Sequence, residues 1–339
     1  MCIDPFLFCV YHNDAYPVGN DKLGPESSLS GRLLGNDFSA KDGWSMYHGE
    51  TVPGFPAHPH RGFETVTIVR SGTVDHSDSL GSSARFGSGD VQWLTAGRGI
   101  VHSEMFPLLN KDGANPLELF QIWLNLPAHS KMANPYFKML WAENIPKATV
   151  FDESYRPVEI TYICGHYLCD HDLGARDSIS PPPDSWASQP DSSVAIWIIT
   201  LAPHARYKLS AAPAPDCRRA LYFFKGANIN LGGHAIRRHC AIEVVSHTMI
   251  ELINGPETSE LLMLQGKPIG EPLAKHGPFV MNTDAEIAEA ISDHRSTQFG
   301  GWPWPTNAPV RHRASPRHTY IPDLGPAFPP TYQAPCLRE

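Results

Sequence analysis

Short apolar runs, each closed by glycine, proline or a polar turn, recur along most of the chain. They include 64–69 (ETVTIV), 91–94 (VQWL), 119–125 (LFQIWLN), 159–163 (EITYI), 194–201 (VAIWIITL), 220–224 (ALYFF), 241–245 (AIEVV) and 260–264 (ELLML). Runs this short, rich in β-branched and aromatic residues, predict strands of a sandwich or barrel. They fall into two groups, one before about residue 150 and one between about 157 and 280. The pattern therefore predicts an all-β chain with two β-barrel domains in tandem, spanning residues 1–150 and 151–284. One segment has helical spacing: Thr283 can cap, Glu286 completes a capping box, and Ile287, Ala290, Ile291 and His294 recur on one face. A short C-terminal helix is expected over 285–299. Residues 300–339 hold nine prolines after Gly300 and read as an extended tail, wrapping the surface or partly disordered. The polar, proline-rich 180–193 (SPPPDSWASQPDSS) reads as a surface excursion.

Composition narrows the function classes. The net charge of −8, with no basic stripe, argues against direct nucleic-acid binding. No apolar run approaches the roughly 18 residues of a membrane helix, and MCIDPFLFCVYHND lacks the marks of a signal peptide. The seven cysteines, an odd count without C-x-x-C, read as reduced thiols. Together these features give the expectation of a cytoplasmic protein.

Histidine is the surplus, at 17 residues. His58 and His60 form H-P-H; two apart on a strand, their side chains share a face and can reach one ion. His102 and Glu104 form H-S-E with the same geometry. Strands bearing these pairs side by side would assemble three imidazoles and one carboxylate around a metal. Neutral nitrogens and one hard oxygen suit Fe, Ni, Mn, Co or Zn without choosing among them. About one H-x-H is expected by chance at this histidine content, and H-x-[DE] also occurs at His12/Asp14, His48/Glu50 and His76/Asp78. Context sets the first two pairs apart: turn, strand, tight Gly97-Arg98-Gly99 loop and strand follow in an order that lets them converge. Glu64 shares the parity of His58 and His60. It is a candidate fifth ligand, hydrogen-bond partner of an imidazole N–H, or partner of Arg61 or Arg98, with the imidazole partnership favoured. Gln121, sharing parity with Trp123 and Asn125, is a pocket candidate.

The strings HPHRGFETVT, GDVQWLTAGRGIVHSEM, LFQIWLNLP followed by SKMANPYF, and GEPLAKHGPFVMNT resemble the pirin family of the cupin superfamily. The likeness is strong over residues 50–145 and looser over 195–299. It implies a bicupin whose N-terminal barrel alone holds metal. It also implies iron as Fe(II), with nickel, cobalt, manganese, zinc or copper compatible, held by His58, His60, His102 and Glu104. His204, His234 and His239, without H-x-H spacing, read as structural or surface residues. Residues 11–50, with Tyr47 and His48, look longer than the family's usual link and could form a lid near the site.

The resemblance implies a quercetin 2,3-dioxygenase type reaction, in which dioxygen opens the central ring of a flavonol. Glu104 would be the catalytic carboxylate and a small aromatic molecule the substrate. The alternative it implies is a non-catalytic, iron-dependent redox sensor or co-regulator acting through a protein partner. A third reading is another metal-cupin reaction, such as an isomerisation. Lys275-His276-Gly277-Pro278-Phe279 has no evident chemical role in any of them.

Overall fold

The computed structural model describes residues 2–165 and 180–332. The chain divides into two compact units that interleave in sequence. One contains Cys9–Trp123, Ala128–Glu143 and Pro272–Glu339; the other contains Met1–Phe8, Leu124–Pro127 and Asn144–Glu271.

The histidine-rich unit is built mainly from β1 (Phe6–Tyr16), β2 (Gly54–His60), β3 (Phe63–Ser71), β4 (Thr73–Asp78), β5 (Ser83–Gly87), β6 (Val91–Thr95), β7 (Ile100–Met105), β8 (Asn115–Asn125) and β9 (Tyr136–Leu140). One sheet runs β1-β8-β3-β6-β9, and a second runs β2-β7-β4-β5 before two C-terminal strands extend it. Alternation along each strand sends every second side chain inward. The inward rows supply one shared apolar core: Val69, Val74, Ala84, Phe86, Leu94, Ile100, Leu117, Leu119 and Phe137. Two or four residues along, the same rows turn polar, giving Thr67 beside Val69, His76 beside Val74, Gln92 beside Leu94, His102 and Glu104 beside Ile100, and Gln121 beside Leu119. A barrel that is apolar in one layer and polar in the next is the frame on which the candidate site rests.

The other unit is built from β10 (Lys147–Phe151), β11 (Pro157–Cys164), β12 (Ala195–Leu201), β13 (Arg206–Leu209), β14 (Arg218–Lys225), β15 (Ile229–Leu231), β16 (His234–Ile236), β17 (Cys240–Val244), β18 (Ile250–Asn254) and β19 (Ser259–Gly266). Its sheets run β10-β11-β12-β19-β14-β17 and β13-β18-β15-β16. Val158, Ile160 and Tyr162, then Trp197, Ile199 and Leu201, then Leu221 and Phe223, then Leu261 and Met263 fill its core from rows of one parity. Its inward rows stay apolar where those of the first unit become polar. Among the described residues, His204, His234 and His239 join no metal-competent group. Cys169 and Cys336 lie outside the described residues.

The chain then returns to the first unit through β20 (Ala274–His276), β21 (Phe279–Met281), α1 (Asp284–Thr297), β22 (His318–Ile321) and β23 (Gly325–Ala327). Thr283 accepts from the Glu286 N–H, and the Glu286 carboxylate accepts from the Thr283 N–H at 2.8 Å, so the capping box is complete. Ile287 and Ala290 face Val101, Phe279, Met281 and Phe299. Thr283→Ala is expected to cost about 1 kcal/mol; an unchanged denaturant midpoint would contradict that role for the cap.

The proline-rich tail is extended and docked over residues 301–332. β22 pairs with β5, placing Thr319 opposite Ala84, and the second sheet becomes β2-β7-β4-β5-β22-β23. The Trp304 indole N–H donates to the Asp78 carbonyl at 2.8 Å. Among the described residues no helix is long and apolar enough to cross a membrane.

Candidate metal centre

β2 and β7 pair antiparallel and put His58 directly opposite His102. The register slips between Phe55 and His58. Pro56, which has no N–H to give the ladder, sits in this irregularity, and such bulges re-aim side chains. His58 and His60 then share a face, as their spacing predicts. The ring centroids lie 4.8 Å apart for His58–His60, 4.5 Å for His58–His102 and 4.8 Å for His60–His102. One ligand nitrogen from each of the three falls within 4.8 Å of the others.

These nitrogens have little else to do. His58 Nδ1 faces the Pro56 carbonyl at 2.8 Å, which leaves its Nε2 for an ion. His60 Nδ1 and both nitrogens of His102 are buried without a hydrogen-bond partner. A buried polar atom left unsatisfied costs about 1–3 kcal/mol, so a cluster of them needs a partner that protein groups do not supply. Burial holds His58 down at about 4 and His60 and His102 well below the usual imidazole range. All three are neutral at pH 7, the form that binds metals. The residues present therefore fit a first-row metal ion.

Glu104 lies in the same layer, yet its carboxylate is engaged elsewhere than in the three-histidine group. Thr67 Oγ1 donates to Oε1 at 2.9 Å, and Gln121 Nε2 donates to Oε2 at 2.7 Å. Burial pushes the Glu104 carboxyl up; His76, Thr67 and Gln121 pull against it without cancelling it. Gln121 thus sits at the site, half-buried, as a clamp on Glu104. Glu64 is fully buried and accepts from Thr95 Oγ1 at 2.7 Å, not from the orphaned nitrogens of His60 and His102. Its shared parity with His58 and His60 does not carry across, because the chain turns at Arg61-Gly62 between β2 and β3. Gly62 takes φ +85°, and a Cβ there would meet the Val280 carbonyl oxygen at 1.9 Å.

Four neighbours were not singled out by the sequence. His76, fully buried, stands opposite Glu104 in the β4–β7 pair, and its ring is 5.5 Å from His102. Its Nε2 faces Asp78 Oδ2 at 3.2 Å. The H-x-D spacing was the only available signal, and it recurs by chance. Phe55 stands 6.4 Å from the His58 ring, and Phe63 and Trp123 stand 5.0 and 5.4 Å from the His60 ring. From the 11–50 segment, the Tyr47 ring stacks on Phe55 at 5.2 Å. The Tyr47 hydroxyl donates to Asp14 Oδ2 at 2.7 Å and lies 2.8 Å from His12 Nδ1.

Acid should unfold this unit. Burial holds His12 at about 4 in the fold, against about 6.5 in an unfolded chain. A depressed histidine pKa gives stability that is complete above the unfolded value and is lost as pH falls toward the folded one. His12 alone contributes about 3 kcal/mol that disappears between pH 7 and pH 4, and the three clustered imidazoles add to the same slope. The melting temperature of metal-free protein should fall steadily over that range; a flat profile would contradict the buried neutral histidines.

Comparison with known proteins agrees with the fold. The Pirin family model matches residues 28–124, and the Pirin C-terminal cupin domain model matches residues 196–300. Pirin-1 of Arabidopsis thaliana is 34% identical over 253 residues, covering 73% of this chain and 78% of that protein. Human Pirin is 30% identical over 260 residues, covering 75% and 80%. A crystal structure of quercetin 2,3-dioxygenase from Acinetobacter baumannii superposes with a TM-score of 0.66 at 30% identity, covering 88% of this chain and 86% of that one. With both family domains matched in order and the two barrels observed, the chain is a bicupin and belongs to the pirin family.

Proposed function

We propose that this chain is a metal-dependent dioxygenase of the quercetin 2,3-dioxygenase type, with His58, His60, His102 and Glu104 as the metal ligands and iron as the metal. The observation that carries the reading is the cluster of three imidazoles, with His60 and His102 buried around orphaned nitrogens and His58 half-buried, beside an anchored carboxylate. The Acinetobacter baumannii relative bears the quercetin 2,3-dioxygenase name, which supports a flat phenolic substrate.

A first-row metal bound there would supply Lewis acidity, lowering the pKa of a coordinated substrate hydroxyl. The protein's own groups do the rest. Glu104 accepts the hydroxyl proton, and its burial favours holding it. Thr67 and Gln121 fix the carboxylate so that the proton moves to a defined oxygen. Phe55, Phe63 and Trp123, packed around His58 and His60, keep water from the reacting atoms and offer aromatic faces to a planar molecule.

The test is aerobic turnover of quercetin by protein loaded with Fe(II) or Ni(II). Turnover is expected, with Glu104→Gln lowering kcat by about 100-fold or more. Tight metal binding without turnover would overturn the enzymatic reading in favour of a metal-dependent sensor.

A further inference from the structure

The string Lys275 to Phe279 finds its chemistry next to the imidazoles. The β20–β21 hairpin is tied to the turn that follows His60: the Arg61 N–H donates to the Pro278 carbonyl at 3.3 Å, and the Val280 N–H donates to the Arg61 carbonyl at 3.0 Å. This pins the hairpin to the strand that carries His58 and His60. Its Lys275 is exposed, and the ammonium stands 5.1 Å from the centroid of the Trp123 ring. Trp123 is half-buried, with its ring 5.4 Å from His60 and 4.4 Å from Phe63. On β8 it lies two residues from Gln121, the clamp on Glu104, and so on the same face. Among the described residues no carboxylate pairs with Lys275. In a chain of net charge −8, an unpaired cation has been placed on an aromatic ring that touches a candidate ligand histidine.

We propose that Lys275 and Trp123 form a subsite that receives the anionic substituent of a planar aromatic ligand, such as a phenolate or an aryl acid, while the ring system extends toward His60 and Glu104. The proposal deepens the reading of the imidazole cluster as a site for aromatic substrates and rests on it. Trp123 provides a flat apolar face for stacking. Lys275 provides a compact charge with three rotatable donors, on a stem long enough to follow substituents of different position. The ammonium stays exposed at the indole face, where an arriving anion can pair with it. The subsite selects by charge, and the imidazoles and Glu104 act on the ring.

The experiment is calorimetric titration of metal-loaded protein with 2-naphthalenesulfonate and with methyl 2-naphthyl sulfone. The two share a ring system, only the first is charged, and a sulfonate is a poor metal ligand. The wild type should bind the sulfonate about fivefold more tightly than the sulfone, the upper end of what an exposed ion pair contributes. Lys275→Met should erase that preference without changing metal content, and Lys275→Arg should keep it. Equal affinities in the wild type, no binding of either probe, or a preference that survives in Lys275→Met would overturn the subsite. Quercetin turnover by the same preparations separates the two readings. Preference without turnover sinks the dioxygenase reading alone, and turnover without preference sinks the subsite alone.

Discussion

Replacing His102 with alanine is expected to weaken metal binding by at least about 100-fold, since losses of 10- to 100-fold already follow removal of groups that merely support a ligand. His102 sits opposite His58 in the strand pair, is fully buried, and has no hydrogen-bond partner for either nitrogen. His76 is the neighbouring imidazole on the wall, its ring 5.5 Å from that of His102, and its Nε2 is already held by Asp78 Oδ2 at 3.2 Å. The metal-free fold should suffer far less, because the variant also removes two unsatisfied buried atoms and so offsets part of the cavity it leaves. The stabilisation that excess metal gives by binding only the folded state should vanish in the variant. Competition with a chelator measures the affinity, and thermal melts with and without metal measure the stabilisation. A His102→Ala protein that holds metal as tightly as the wild type would refute the proposed ligand set.

The largest stability effect is expected at Arg85. Its Nε and Nη2 donate to the two oxygens of Asp75, both at 2.7 Å, and both side chains are almost fully buried. The remaining guanidinium donors reach the backbone carbonyls of His312 at 2.7 Å and Arg311 at 3.0 Å, while the Arg311 N–H donates to Asp75 Oδ2 at 2.7 Å. One buried ion pair therefore clamps the tail onto β4 and β5. Removing one partner of such a pair leaves an uncompensated buried charge and costs about 3–5 kcal/mol. Arg85→Ala should lose that much and open the segment around residue 311 to limited proteolysis. Replacing both partners together, as Asp75→Leu with Arg85→Met, should cost less than Arg85→Ala alone, because no charge is stranded. A loss below about 1 kcal/mol in Arg85→Ala, with the tail still protected, would show that the clamp contributes little.

What the sequence disclosed follows from the range of the interactions involved. Strand positions were visible because alternation is local, and α1 was visible because Thr283 and Glu286 are three residues apart. The H-P-H pair was readable for the same reason, since two residues on one strand need no tertiary information to share a face. The role of Glu64 was less readable, because parity holds only within one strand and Gly62 ends that strand. His76 was hidden in a spacing that occurs by chance, and only the β4–β7 register distinguishes it from the other H-x-[DE] pairs. The docking of the tail depends on Arg85 and Asp75, more than two hundred residues upstream, so proline content could announce an extended chain but not where it lies. Trp123 and Lys275 meet for an equally non-local reason: a hairpin late in the sequence returns to the turn after His60. The interleaving of the two units leaves no mark in any hydrophobic pattern.

The most direct test of the account is X-ray absorption at the metal edge of protein loaded with one equivalent of Fe(II). Three imidazoles should appear around the ion, falling to two in His102→Ala or His58→Ala. A spectrum without imidazole scattering, or one unchanged in both variants, would contradict a metal held by these histidines.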